Sequence, residues 1–98
     1  MSFEIISSST HTTLTLTGDI NIASSSDLRG QLSTIPASLD LVVHSSELAY
    51  IDSSGVACLI MAYKRLKEAG ATIRLVQPSD ALMNVLKILK FDSLFTIE

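Results

Sequence analysis

The chain has 98 residues, of which 47% are apolar and 17% charged, and its formal net charge is −3. This is a globular balance, and the length fits one domain, 1–98, able to build a core without metal or disulfide. The acidic balance argues against general nucleic-acid binding, and the lone Cys58 excludes an internal disulfide or a Cys-rich zinc site. Met1-Ser2-Phe3-Glu4 places no basic stretch before a long apolar run, so no leader is read. The longest apolar stretch, Val56 to Tyr63, is too short to span a membrane. A cytoplasmic domain without direct membrane insertion is the expectation.

In chain order, Phe3-Glu4-Ile5-Ile6 reads as a short strand and Ser7 to Thr10 as a polar turn. From Thr12 to Thr17 the residues alternate, with Leu14 and Leu16 on one side and threonines on the other. That is a half-buried strand, close enough to the first to form a hairpin. Gly18-Asp19 is expected to end it. Ser24-Ser25-Ser26-Asp27 offers N-caps for a helix through Leu28 and Leu32 to Ile35, which Pro36 stops. Leu41-Val42-Val43 reads as a strand buried on both faces, and His44 to Asp52 as a connection anchored by Ile51.

A long helix is predicted from Ser53 or Ser54 to near Gly70, a residue suited to a left-handed cap. Thr72 to Val76 is the next strand. Pro78-Ser79 opens a helix with Leu82, Val85, Leu86 and Leu89 on one stripe. A short strand around Phe95-Thr96-Ile97 closes the chain. The order is β-β-α-β-α-β-α-β, an α/β fold with a mixed sheet. Two strands alternate apolar and polar residues, so the helices are expected mainly on one face.

Little in the sequence points to catalysis. Ser54, His44 and Asp52 can be drawn as a triad, but Ser54-Gly55 lacks the preceding glycine of a nucleophile elbow, and His44 reads better as a strand-end residue. The carboxylates Asp19, Asp27, Asp40, Glu47 and Asp52 are scattered, without metal-ligand spacing. No glycine-rich phosphate loop is present. Neither a metal nor a cofactor is expected, and the chain is read as a non-enzyme.

Tyr50-Ile51-Asp52-Ser53-Ser54-Gly55-Val56 stands apart, between a buried strand and an amphipathic helix. In an open α/β sheet function gathers at such a junction. Asp52, Ser53 and Ser54 are all good N-caps, and capping alone would account for them. A phosphoryl group on one serine is the functional alternative. It would sit at the positive end of the helix and add a charge of about −1.5 to −2 beside Asp52.

This segment resembles the Asp-Ser-Ser/Thr-Gly signature of the STAS domain family, the sulfate transporter and anti-sigma factor antagonist domains. Three further segments resemble that family in order. Thr17-Gly18-Asp19-Ile20-Asn21 is similar to its early turn. Tyr63 to Ala71 is similar to the end of its long second helix, and Leu86 to Ile97 to its closing leucine-phenylalanine pattern. The chain departs from the pattern at Asn21, where aspartate is common, and at Val56-Ala57, which replaces the frequent Leu-Gly.

In the stand-alone antagonists of that family, a histidine-kinase-like serine kinase or anti-sigma partner phosphorylates the serine before the glycine. The resemblance therefore implies Ser54 as the phosphorylated residue, with Ser53 as the alternative. A PP2C-type phosphatase would reverse the reaction. Asp19, Asn21, Asp52, Ser53 and Gly55 would form the switch loop, with Ala57 following on the helix. The alternative is a constitutive STAS subunit of a lipid or anion transport complex. The helix adds a separate clue. Val56, Leu59, Ile60, Tyr63 and Leu66 share the stripe expected to face the sheet. Ala57, Met61, Lys64, Arg65 and Glu68 fall on the other side, where Met61 is an exposed apolar contact for a partner.

Overall fold

In the computed structural model, which describes residues 3–98, the elements run in the expected order. They are β1 (Phe3–Ser7), β2 (His11–Ile20), α1 (Ile22–Leu32), β3 (Asp40–Ile51), α2 (Ser53–Glu68), β4 (Ile73–Val76), α3 (Asp80–Ile88) and β5 (Thr96–Ile97). Met1 and Ser2, part of the stretch read for a leader, lie outside the described residues. The strands form one sheet in the order β1-β2-β3-β4-β5. The β1–β2 pair is antiparallel and every other pair parallel, so the sheet is mixed.

Alternation decides which side chains meet the helices. Thr12, Leu41 and Ile73 lie in one cross-strand row, and Leu14, Val43 and Leu75 in the next. All six are buried, and they form the floor under Leu28, Leu32, Leu59, Leu66, Leu82 and Leu86 from the helices. The helices share this face, with α2 packed against both α1 and α3. The opposite face carries Glu4, Thr13, Thr15 and His44, which are exposed or half-buried. Val42 lies there too, between Thr13 and Arg74, yet is buried as the continuous apolar run suggested.

Four boundaries differ from the sequence reading. The second strand does not end at Gly18-Asp19; it runs on to Ile20. Gly18 adopts φ 64°, a left-handed conformation that costs glycine little, and the ladder shifts register beside it rather than stopping. Correspondingly, His44 to Ile51 is not a connection but the second half of β3, paired with β2 as far as Ile20 opposite Ile51. Ile51 is buried, as its anchoring role required. Helix α1 starts at Ile22 rather than among the serines, because Asn21 and Ser24 form a reciprocal capping box. It stops at Leu32, though Ile35 still reaches the core.

The face assigned to α2 is also shifted. Cys58 and Ala62 are fully packed, whereas Ile60 and Tyr63 lie half-buried at the edge of the core. Tyr63 makes an edge-to-face contact with Phe95, ring centroids 5.8 Å apart, which ties α2 to the segment entering β5. Met61 is not freely exposed among charges but half-buried. Arg65 is not a solvated charge either. Its guanidinium donates to the carbonyls of Leu32 at 2.7 Å and Ile35 at 3.1 Å, closing the open end of α1.

Those two bonds generate a prediction. A single ammonium cannot span both carbonyls as the planar fork does. Arg65→Lys should therefore lower unfolding free energy nearly as much as Arg65→Gln, by about 1–3 kcal/mol. Urea titration of the two variants checks it, and full rescue by lysine would show that only the charge matters.

Candidate functional site

The site forms where β2 and β3 finish level with one another. The N–H of Asp52 donates to the carbonyl of Ile20 at 3.2 Å, directly past the Ile20–Ile51 pair. Each strand then turns into a helix, so α1 and α2 begin side by side. Asn21 caps α1 by accepting from the N–H groups of Ala23 at 2.9 Å and Ser24 at 3.3 Å. Asparagine caps as well as aspartate, which accounts for its tolerance at this position.

Asp52 caps α2. One carboxylate oxygen accepts from the backbone N–H of Ser54 at 3.0 Å and of Gly55 at 3.2 Å, and from the Ser54 hydroxyl at 2.5 Å. The Ser54 hydroxyl is the main reason its carboxyl is held below the usual carboxylate range; partial burial opposes this, and the N–H groups of Gly55, Ser54 and Ile22 reinforce it. The Ile22 contribution is informative, because that N–H belongs to the first turn of α1. The carboxylate caps α2 and lies near the positive end of α1 as well.

Gly55 is dictated by space rather than by backbone conformation. A Cβ there would lie 2.7 Å from Cγ1 of Ile51 and 2.8 Å from Cγ2 of Ile20. Glycine lets the first turn of α2 rest directly on the last residues of both strands. The Asp-Ser-Ser-Gly run therefore has a local logic: a cap, two serines in the first turn and a close approach.

The two serines diverge. Ser53 is exposed and opens onto a groove of about 520 Å³ between α2 and α3, walled by Val56, Ile60, Leu89 and Phe91 with Lys64 at its edge. Ser54 is half-buried and opens onto a groove of about 450 Å³ between α1 and α2, shared with Ile22, Ser26 and Arg29. Ala57 and Met61 line both grooves and form the ridge between them. Asn21, Asp52, Ser53, Ser54 and Gly55 are thus gathered at one end of the sheet. Asp19 lies just before them, exposed on β2 and paired with Tyr50. His44 alternates with buried Val43 and Ser45 and points away from the helix layer, so the Ser54-His44-Asp52 triad does not assemble. Among the described residues no group of acidic, histidine and cysteine side chains is placed to hold a metal ion.

Sequence reasoning missed Ile22 and Arg29. Ile22 lies on the α1 stripe with Ser25 and Leu32, which predicts burial, yet it is 78% exposed because it sits in the first turn, beyond Ile20. The asparagine-serine capping box would have revealed the earlier helix start and put Ile22 in that turn.

The depressed Asp52 carboxyl has a consequence for stability. Its folded-state value lies below the unfolded one, so its contribution is complete above the unfolded value and is lost as pH falls through the folded value. Asp52→Asn should lower stability at neutral pH and flatten the acid limb of a urea-midpoint profile. Parallel acid limbs for the two proteins would contradict this account.

No curated protein matches the chain. Among solved structures, protein TM1081 of Thermotoga maritima superposes with a TM-score of 0.84 at 17% identity, over 97% of this chain and 84% of that one. The anti-sigma factor antagonist SpoIIAA in its unphosphorylated form gives 0.83 at 18% identity, over 98% and 87% of the two chains. The Bacillus cell fate determinant SpoIIAA in its phosphorylated form gives 0.77 at 18% identity, over 98% and 90%. At such identities the superpositions establish a shared fold. A family model described as "Mlab, STAS domain" matches residues 5–96. With that match, four motifs in the expected order and the same fold, the chain belongs to the STAS domain family.

Proposed function

We propose that the chain is a cytoplasmic, non-enzymatic partner-binding switch of the anti-sigma factor antagonist type, set by phosphorylation of Ser54. The observation that carries this reading is the placement of Ser54: second residue of α2, half-buried, at the mouth of a groove whose rim includes the exposed Ile22. A partner seated here covers the hydroxyl. The modifying partner is a histidine-kinase-like serine kinase that is itself the anti-sigma factor, and a PP2C-type phosphatase restores the serine. In the transfer, Oγ of Ser54 forms a bond to the γ-phosphorus of ATP as the bond to ADP breaks. The hydroxyl proton passes to a base of the kinase.

The consequence is electrostatic. The dianion joins the ionised Asp52 at a surface that must be desolvated when the partner docks, and like charges in a closed interface disfavour association. Asp19, Asn21, Asp52, Ser53 and Gly55 shape this surface, and Ala57 and Met61 extend it along α2.

A second reading is a constitutive STAS subunit of a lipid or anion transport complex, docking an ATPase or membrane partner by the same surface. Two observations favour it. The Ser54 hydroxyl already serves the chain by bonding to Asp52, and the matching family model is described by Mlab rather than by an antagonist.

Calorimetry against the partner captured by Ser54→Ala separates the two. The switch requires Ser54→Ala to bind, Ser54→Asp to bind at least tenfold more weakly, and the phosphorylated chain weakest of all. Equal affinities leave the constitutive module. Met61→Asp should also weaken binding while circular dichroism stays native, although its half-buried position adds a stability cost. Unchanged affinity would remove the α2 ridge from the interface.

A further inference from the structure

We propose that Arg29 is the chain's own counter-cation for a phosphoryl group on Ser54, holding that group in the groove between α1 and α2. The inference rests on Ser54 as the modified residue and concerns where the new charge goes.

Arg29 and Ser54 line the same groove. The two helices meet closely there, since the Cys58 thiol on α2 donates to the carbonyl of Ser25 on α1 at 3.2 Å and to that of Ser54 at 3.4 Å. Arg29 follows Ser25 by one helical turn, and its charge is felt at the Cys58 thiol, one turn beyond Ser54. Helical side chains lean toward the N-terminus, so the Arg29 side chain leans back toward the level of Ser25 and Ser54.

Arg29 is also uncommitted. Arg65 is engaged by the carbonyls of Leu32 and Ile35, and Arg74 pairs with Glu98 at 3.2 Å. Arg29 is exposed, in the last turn of α1, and forms no ion pair or side-chain hydrogen bond among the described residues. Its position there suits the negative end of the helix but does not fix where its guanidinium points.

The other groups facing the phosphate narrow the choice. Asp52 repels it, and burial keeps the Cys58 thiol neutral. Lys64 lines the other groove, with Ser53. Arg29 is therefore the cation lining the Ser54 groove, and its planar fork matches two phosphate oxygens. A phosphate on Ser53 would enter the α2–α3 groove and meet Lys64 instead. Pairing with Arg29 turns a groove that presents a free cation into one that presents net negative charge, so the partner loses an attractive contact as well as meeting a repulsive one. A Ser54→Asp carboxylate is shorter than a phosphate and reproduces the repulsion without the full pairing.

Phosphoserine installed at position 54 during synthesis makes the test independent of any kinase. Titration of the phosphate by phosphorus NMR reads its second ionisation. Arg29→Gln should raise that pKa by about 0.5 unit or more, Arg29→Lys should raise it less, and Lys64→Gln should leave it unchanged. A pKa unmoved by Arg29→Gln, or moved equally by Lys64→Gln, would overturn the pairing and leave the Ser54 switch standing. Conversely, full partner affinity of the phosphorylated chain would end the switch reading without touching the titration result.

Discussion

The level ending of β2 and β3 is the constraint on which the site depends. Parallel strands send their following helices back along the same face, so two strands that stop at the same height start two helices at the same height. The Ile20–Ile51 pair fixes that height. Beyond it the first turns of both helices emerge side by side, α1 capped by Asn21 and α2 by Asp52. Had β2 stopped at Gly18, α1 would begin lower and its positive end would not approach Asp52. The bulged, left-handed Gly18 that carries the strand onward is thus a determinant of the site although it does not touch it.

Close packing supports the same arrangement. Gly55 lets α2 rest on Ile20 and Ile51 without a side chain between them, and Cys58 and Ala62 keep the next turns near α1 and the sheet. At the far end Arg65 closes α1 through the carbonyls of Leu32 and Ile35. The two helices are tied to one another by the Cys58 thiol at the Ser25 carbonyl and by Arg65 at the far end. The groove between them is walled by the two helices rather than by a loop.

Much of this was legible in the sequence. Alternation in Thr12 to Thr17 identified the face of β2, and the Leu41-Val42-Val43 run identified a central strand. Asp-Ser-Ser-Gly located the start of α2 to Ser53 or Ser54, and the helix begins at Ser53. What escaped has physical reasons. His44 to Ile51 has too many polar residues for a buried strand, because only Ser45, Leu48 and Ile51 face inward and the register shifts break strict alternation. Helix α1 is so polar that its serines looked like caps, when Ser24 closes a box begun by Asn21 and Ser25 is itself buried. Arg65 looked like surface charge because its carbonyl partners lie about thirty residues earlier in the chain, a relation that no local pattern contains.

Cys58 gives the molecule a built-in reporter. Its thiol lies buried at the seam between α1 and α2, and burial pushes its ionisation above the usual range, so in the closed fold it is doubly unreactive. The thiol lines the groove between α1 and α2 but is only 2% exposed, so a thiol reagent reaches it freely only when that seam widens. The rate of its modification under native conditions therefore reports on the opening of that seam. With no other cysteine in the chain to compete, the signal belongs to one interface.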